Sequence, residues 1–103
     1  MIRQNMNPLT IEQKRKLKSL AHHRKPVVYI GQNGITEGVI EATDKALTAH
    51  ELIKVKFIDF KDEKKSLVQN IEEKTNSACV SIIGNIAIFF RQNPDSKKRQ
   101  IDV

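Results

Sequence analysis

The sequence predicts a single-domain α/β fold in which helices alternate with short strands. Apolar residues recur at the spacing of an amphipathic helix in three segments, whereas four shorter segments are rich in β-branched residues or alternate between apolar and polar positions. The 103 residues are enough for one hydrophobic core and too few for a second domain with its own cleft. We therefore expect one domain over residues 1–103, with 1–8 and 93–103 as flexible or extended ends.

The first helix is predicted to begin after Thr10. Thr10 is a favoured N-cap residue, and Gln13 follows three positions later, where its side chain can complete a capping box. Pro26 is expected to end the helix, because a proline disfavours helical geometry in the residue before it, here Lys25. The helix should therefore extend nearly to the first strand.

The middle of the chain predicts two strands that flank a second helix. Apolar residues fill 27–30, and residues 31–34 are typical of a tight turn. Thr36 can cap a helix that continues to about His50. Residues 52–58 then alternate as a strand, with two lysines on the face opposite its apolar residues.

The last part of the chain predicts a third helix and a hairpin. Asp62 can cap the helix, which should end near Thr75. Strands over 79–83 and 86–91 are joined by Gly84-Asn85, a pair that suits a two-residue turn with positive φ. The predicted order is α-β-α-β-α-β-β. Crossover helices imply parallel pairing and the hairpin adds an antiparallel pair, so the sheet should be mixed and four-stranded.

Positive charge is concentrated in the first half of the chain. The net charge is +6, and residues 1–56 contain ten Lys or Arg against five Asp or Glu, whereas residues 57–103 contain eight against seven. Residues 14–25 alone carry six Lys or Arg, together with His22 and His23, and no acid. A solvated helix face usually mixes both signs, so this segment favours a polyanionic partner over a merely soluble surface.

The stretch Gly31-Gln32-Asn33-Gly34 lies between a predicted strand and a predicted helix. A glycine-bounded turn in this position lets backbone N–H groups approach a phosphate, and the helix dipole adds positive potential. The spacing alone is a weak signal, because a tight connection can need glycine for positive φ without any ligand. Beside the basic segment, however, the turn favours a nucleic acid.

Other basic and aromatic residues allow two interpretations. Lys54 and Lys56 alternate on one face of a predicted strand, where they either meet a polyanion or protect an edge strand from aggregation. Arg91 ends the last predicted strand, where it could contact a nucleic acid. The four Phe and one Tyr are expected mainly in the core, although an exposed pair could stack on bases.

Several other kinds of site are not predicted. Cys79 is the only cysteine, so neither an intramolecular disulfide nor a thiolate zinc site can form, and we expect it to pack as a small hydrophobe. The three histidines form no ligand set, and His50 is expected to bond a free carbonyl at a helix C-terminus. No apolar run approaches the ~18 residues of a membrane span, so we expect a soluble cytoplasmic protein.

Six groups of residues together form a recognisable pattern: Leu9-Thr10-x-x-Gln13, Ala21-His22, Lys25-Pro26-Val27-Val28, Gly31-x-x-Gly34-Ile35-Thr36, Ala46-Leu47-x-x-His50-Glu51-Leu52-Ile53-Lys54-Val55-Lys56, and Ile83-Gly84 followed by Phe90-Arg91. This pattern resembles the YhbY family, the free-standing bacterial form of the CRM domain, which is the RNA-binding module of chloroplast splicing and ribosome maturation proteins. The resemblance extends from about Leu9 to Arg99 and has two departures: Arg24 stands where an apolar residue is usual, and the chain ends in 101–103 instead of the commoner Leu-Pro.

This resemblance implies a fold like the C-terminal domain of translation initiation factor three, a GxxG loop that contacts RNA, and association with precursors of the large ribosomal subunit. With the charge pattern, it leads us to predict a non-catalytic, monomeric RNA-binding protein that acts on ribosomal RNA without a cofactor, a metal or a membrane. The predicted RNA-binding residues are Lys14, Arg15, Lys18, His22, Arg24, Lys25, Gly31, Gln32, Asn33, Gly34, Thr36, Lys54, Lys56 and Arg91.

Two other functions remain open at the level of sequence. A module that docks on an acidic protein partner would use the same basic surface. An enzyme for phosphorylated substrates could use the turn at 31–34, but no Walker-type Lys-Ser follows Gly34 and no Ser/Cys–His–Asp set is evident.

Overall fold

The computed structural model describes residues 9–103, apart from the side chain of Lys61. Within this range the order of elements is the predicted one, which confirms the α/β fold. The helices are α1 (Ile11–Ala21), α2 (Glu37–His50) and α3 (Lys64–Thr75), and the strands are β1 (Val28–Ile30), β2 (Leu52–Phe57), β3 (Ala78–Ile83) and β4 (Ile86–Phe90).

The predicted start of α1 is confirmed, whereas its predicted end is wrong. The Thr10 hydroxyl accepts from the backbone N–H of Gln13 at 3.1 Å, and the Gln13 side chain accepts from the Thr10 N–H at 2.9 Å. The helix ends at Ala21, well before Pro26. Its last turn tightens, and the Arg24 N–H bonds the Ala21 carbonyl at 2.9 Å. Residues 22–25 are therefore free to lie along β2.

The starts of the other two helices differ in how they are capped. Thr36 caps α2 as predicted, because its hydroxyl accepts from the Val39 N–H at 3.1 Å. The prediction that Asp62 caps α3 is wrong. A 3₁₀ turn over Lys61–Glu63 precedes α3, and the backbone N–H of Glu63 bonds the Phe60 carbonyl at 3.1 Å. The chain thus enters α3 through backbone turn geometry rather than through a capping side chain.

The sheet has the strand order β1-β2-β4-β3 over the described residues. β1 and β2 are parallel, whereas β4 is antiparallel to both β2 and β3, so the predicted mixed sheet is confirmed. The hairpin at Gly84-Asn85 is also confirmed, with Gly84 at φ 58°. Because β2 is an interior strand, the interpretation of Lys54 and Lys56 as guards of an edge strand is wrong.

Helices cover both faces of the sheet. On one face α2 and α3 enclose the larger core cluster, which includes the buried Phe57 and Phe89. On the other face Leu17 and Ala21 of α1 pack with Leu52, Ile88 and Phe90 in a second cluster. The alternation along β2 explains this arrangement, since successive side chains point to opposite faces.

The C-terminal segment, which the sequence predicts to be a flexible or extended end over 93–103, packs against the domain. Ile101 is buried in the cluster beneath α1. The Glu51 carboxylate, 1% exposed, accepts backbone N–H groups from Asn93 at 2.6 Å, Gln100 at 2.7 Å and Ile101 at 2.9 Å. The expectation for residues 1–8 lies outside the described residues.

Cys79 packs against the larger core cluster, as predicted. Burial and then the negative charge of Glu72 raise the pKa of the Cys79 thiol to about 11. Among the described helices, none is both long and apolar enough to cross a bilayer. Residues 9–103 contain no group of three or more His, Cys, Asp or Glu side chains that could hold a metal ion.

Candidate nucleic-acid interface

The outer face of α1 carries cations that have no partner among the described residues. Lys14, Arg15 and Lys18 are exposed, and none of their side chains makes a hydrogen bond or a salt bridge to a described residue; Lys14 interacts only at longer range, with the Cys79 thiol. Lys16, which the sequence analysis did not single out, donates to the backbone carbonyl of Asp102. The buried Leu17 and Ala21 fix the orientation of the helix, so that these cations face outward.

Residues 22–25 extend the positive surface from α1 toward β2. His22 and Lys25 are exposed. The Arg24 guanidinium donates to the Leu52 carbonyl at 2.6 Å and to the His50 carbonyl at 3.4 Å. Arg24 therefore holds this segment against the start of β2. Its guanidinium is engaged with backbone carbonyls, so the half-buried Arg24 adds positive potential to the surface more than it offers a free side chain for contact.

The predicted role of the His50 imidazole is not the one that the described residues show. The expected bond from its imidazole to a free helix-end carbonyl is absent among the described residues, and the carbonyl of His50 itself accepts from Arg24. Lys54 completes the connection, because its ammonium donates to the Arg24 carbonyl at 2.9 Å. Lys54 is half-buried, whereas Lys56, two residues further along β2, is exposed.

The turn at 31–34 requires a glycine for its backbone at one end only. Gly34 has φ 69°, and its N–H bonds the Gly31 carbonyl at 3.0 Å. Gly31 has no positive φ, and a Cβ built there would meet nothing within 4 Å. The purely conformational interpretation therefore accounts for Gly34 but leaves Gly31 unexplained.

The same turn presents backbone donors to solvent. Gln32 and Asn33 are exposed, and their backbone N–H groups have no acceptor among the described residues. The adjacent N-terminus of α2 is less available, since the Thr36 hydroxyl already accepts from Val39 and Glu37 places an acid in the first helical turn. Phosphate contact is thus better suited to the turn itself than to the helix dipole.

Arg91 is fully engaged within the domain. Its guanidinium donates to an Asp44 carboxylate oxygen at 2.6 Å, to the Thr75 carbonyl at 2.7 Å and to the Thr48 hydroxyl at 2.8 Å. The side chain is only 18% exposed. This geometry favours a structural role, in which Arg91 connects β4 to α2 and to the end of α3.

Acidic side chains collect on the side of the sheet opposite α1. Glu37, Glu41 and Asp44 lie exposed on α2, where Glu41 pairs with Lys45 at 3.3 Å and Asp44 with Arg91. Exposed cations, among them Lys45 and Lys74, also lie on α2 and α3, so this side mixes both signs, whereas the exposed charges of residues 14–25 are all basic. A surface of one sign attracts a polyanion more strongly than a mixed surface does.

A known domain family matches most of this chain. The profile of the CRS1/YhbY (CRM) domain matches residues 9–91. This chain belongs to the CRS1/YhbY (CRM) domain family. Membership confirms the resemblance drawn from the sequence, and the match covers every helix and strand described above.

Relatives within the CRM family share most of their length with this chain. A Pseudomonas aeruginosa protein named as a probable RNA-binding protein is 42% identical over 91 residues, which are 87% of this chain and 88% of that protein. A Haemophilus influenzae protein named as an RNA-binding protein is 45% identical over 93 residues, 89% of this chain and 94% of that protein.

The fold also matches a structure determined in solution. The solution structure of a Staphylococcus aureus protein, proposed to bind RNA when it was determined, superposes with a TM-score of 0.76 at 38% identity. The superposition covers 92% of this chain and all of the other. The three-helix, four-stranded arrangement is therefore shared with that protein.

The structure exposes two aromatic residues that the sequence analysis expected mainly in the core. Tyr29 is 55% exposed and Phe60 is 40% exposed, whereas Phe57, Phe89 and Phe90 are buried. Tyr29 alternates with the buried Val28 and Ile30, so the period of two along β1 was the signal that could have placed it outward. The Phe60 ring lies 3.6 Å from the position that a Cβ on Gly34 would occupy.

Proposed function

We propose that this protein binds RNA without catalysing a reaction, and that its target is ribosomal RNA in precursors of the large ribosomal subunit. The observation that carries the proposal is the row of exposed cations without described partners on α1, led by Lys14, Arg15 and Lys18. An RNA backbone supplies the closely spaced negative charges that such a row lacks within the protein. The RNA-binding names of the CRM relatives support the same conclusion.

The proposed interface combines the basic surface with the turn at 31–34. Phosphates would lie along α1 and residues 22–25, and the backbone N–H groups of Gln32 and Asn33 would donate to a phosphate at the turn. Lys56 would extend the positive surface across β2. These contacts read backbone and shape, so RNA structure rather than base sequence would determine the preferred site. Arg91, through its bonds to α2 and α3, and Thr36, through its cap on α2, contribute to the scaffold of this interface.

The ribosomal target is the more specific part of the proposal. The charged surface fits any RNA, so it does not select a ribosomal one. The resemblance to the YhbY family is what supports the ribosomal target. We further propose that the protein acts as a monomer in the cytoplasm, where precursors of the large subunit would be available to it.

Substitutions in the turn test whether it contacts RNA. Gly31→Ala adds one methyl group in open space, so the free energy of unfolding should change little while a methyl group obstructs close approach of a phosphate. We expect a several-fold loss of affinity for a fluorescently labelled fragment of large-subunit ribosomal RNA, measured by anisotropy. Unchanged affinity in this variant would remove Gly31 from the interface.

A matched pair at Gly34 separates charge from backbone strain. Asn and Asp are similar in size and both tolerate φ near 69° better than most residues, so Gly34→Asn and Gly34→Asp should destabilise the fold by similar amounts. If phosphate lies at the turn, Gly34→Asp should weaken RNA binding clearly more than Gly34→Asn. Equal losses would show that strain, and not repulsion of phosphate, is responsible.

The ribosomal target is tested by comparing RNAs and by sedimentation. The proposal predicts tighter binding to fragments of large-subunit RNA than to small-subunit fragments of equal length. It also predicts that the tagged protein cosediments with precursors of the large subunit and is released by RNase. A stable complex with an acidic protein that resists RNase would instead support a protein-docking module.

A further inference from the structure

Helix α1 leaves one row of the sheet uncovered. Pairing across the four strands aligns Tyr29 with Lys56, Lys56 with Ile86, and Ile86 with Ile83. Directly paired residues point to the same face, so these four side chains form one row across the sheet. Leu52 of the same face is completely buried beneath α1, whereas Tyr29 is 55% and Ile83 is 49% exposed.

Tyr29 stands out within this row. It is a large aromatic residue whose strand neighbours, Val28 and Ile30, fill the core on the opposite face, so it adds little to that core. No described residue bonds its hydroxyl, and its direct neighbour on β2 is the exposed Lys56. Folding alone therefore does not account for an aromatic side chain at this position.

The position of Tyr29 relates it to the proposed phosphate contact. It precedes Gly31 by two residues, which places the two Cα atoms about 7 Å apart in an extended strand. The Lys56 Cα lies about 5 Å away on the neighbouring strand. A nucleotide with its phosphate at the turn or near the Lys56 ammonium could thus bring its base over the Tyr29 ring.

We propose that Tyr29 is a stacking platform for an unpaired nucleobase of single-stranded RNA next to the turn at 31–34. This proposal rests on the proposed RNA-binding function and specifies the form of RNA that the site accepts. Aromatic side chains on an open sheet face, surrounded by cations, bind single strands because every base has a π-face and its phosphates need counter-charges. Paired bases in a duplex cannot present that face to Tyr29.

The composition of the chain makes this contact directly observable. Tyr29 is the only tyrosine and the chain contains no tryptophan, so intrinsic tyrosine fluorescence reports on this one ring. An oligouridine strand should bind and quench the fluorescence. An abasic strand with the same number of phosphates should bind more weakly and leave the fluorescence nearly unchanged. Free N-acetyltyrosinamide in the same RNA solution corrects for light absorbed by the bases.

Three variants complete the test. Tyr29→Phe keeps the stacking ring and should bind oligouridine within about 2-fold of the unmodified protein. Tyr29→Leu removes the ring but remains apolar, and it should weaken binding between about 5-fold and about 100-fold. Ile83→Ala removes a similarly exposed apolar side chain at the far end of the same row, and its affinity should not change. Thermal unfolding of each variant verifies that the fold is retained.

The outcomes distinguish failure of the stacking proposal for Tyr29 from failure of the proposed RNA-binding function. If the protein binds the ribosomal RNA fragment but oligouridine neither quenches Tyr29 nor responds to Tyr29→Leu, the stacking proposal is overturned while RNA binding stands. Binding of the abasic strand as tightly as oligouridine would also overturn it. If neither RNA binds, the proposed function itself fails, and Tyr29 would then be available to a protein partner.

Discussion

Replacing Glu51 by Gln should destabilise the domain strongly, although the two side chains have nearly the same size and shape. The Glu51 carboxylate is buried, and its two oxygens accept three backbone N–H groups from the C-terminal segment: Asn93 on one oxygen, Gln100 and Ile101 on the other. A glutamine keeps one acceptor oxygen and places an NH₂ group where the other oxygen was. The Asn93 N–H would then face a donor.

The structure sets the magnitude of this effect. An unsatisfied buried N–H destabilises by about 1–3 kcal/mol, and the two remaining hydrogen bonds lose the strengthening that a charged acceptor provides. We expect the free energy of unfolding to fall by about 2–4 kcal/mol, a large part of the ~5–15 kcal/mol typical of a small domain. Glu51 also has φ 63° and ψ −39°, so the three hydrogen bonds help to hold a residue in a strained conformation.

Urea unfolding followed by circular dichroism measures this loss. Glu41→Gln is the matched control, because it makes the same chemical change at an exposed residue of α2 and should alter the free energy by less than about 0.5 kcal/mol. Deleting residues 93–103 should make the Glu51→Gln effect much smaller, since the partners are gone. If Glu51→Gln is as harmless as Glu41→Gln, the carboxylate does not fasten the C-terminal segment and this reasoning is refuted.

Three other predictions follow from the same structure. Arg91→Lys keeps the charge but loses the forked contacts to Asp44, Thr48 and Thr75, so urea unfolding should show a loss of about 1–3 kcal/mol while RNA affinity stays within about 2-fold. A large loss of affinity in a folded Arg91→Lys protein would return Arg91 to the interface. Thr36→Ala removes the cap of α2 and should destabilise by about 1 kcal/mol in the same assay; no change would mean that the cap contributes nothing. Because the pKa of Cys79 is raised from 9.0 to about 11, iodoacetamide should alkylate it at pH 8 about 100-fold more slowly in the folded protein than in urea. The folded thiol holds its proton more tightly, so the stability this provides is complete below pH 9 and is lost as the pH rises toward 11. Equal alkylation rates in the folded protein and in urea would contradict a raised pKa of the Cys79 thiol.

Local sequence signals predicted the elements whose contacts lie within a few residues. The capping box of Thr10 and Gln13, the cap at Thr36 and the turn at Gly84 all depend on neighbours along the chain, and the structure confirms each one. The alternation of Ile53, Val55 and Phe57 likewise predicted the buried face of β2.

Contacts between distant residues explain where the sequence predictions were wrong. α1 ends early because the segment after it, residues 22–25, is held against β2 by bonds from Arg24 to Leu52 and from Lys54 to Arg24, about thirty positions apart in sequence. The partners of Arg91 lie 16 to 47 positions away, so its structural role had no local signal. The C-terminal segment is packed because of Glu51, whose carboxylate appeared in the sequence as part of a family signature without a physical reason.

In the candidate interface too, some features have a local sequence signal and others depend on contacts between distant residues. The basic segment and the glycine turn were visible in the sequence because charge and glycine spacing are local properties. The uncovered row of the sheet depends on where α1 lies and on pairing among four strands, so it emerges only from the fold. For Tyr29, the outward direction of the side chain follows from the local alternation along β1, whereas its exposure depends on the position of α1 in the fold.

The salt dependence of RNA binding tests the central claim most directly. Anisotropy titrations of a large-subunit RNA fragment at increasing salt should give a log–log slope equivalent to several phosphates, at about 0.7–0.9 per contact. The double variant Lys14→Ala/Lys18→Ala should reduce that slope by about 1.4–1.8. The control Lys45→Ala/Lys74→Ala removes the same charge from exposed residues of α2 and α3 and should leave the slope unchanged. Equal reductions in both variants would mean that RNA senses only net charge, which would contradict an interface on the α1 side.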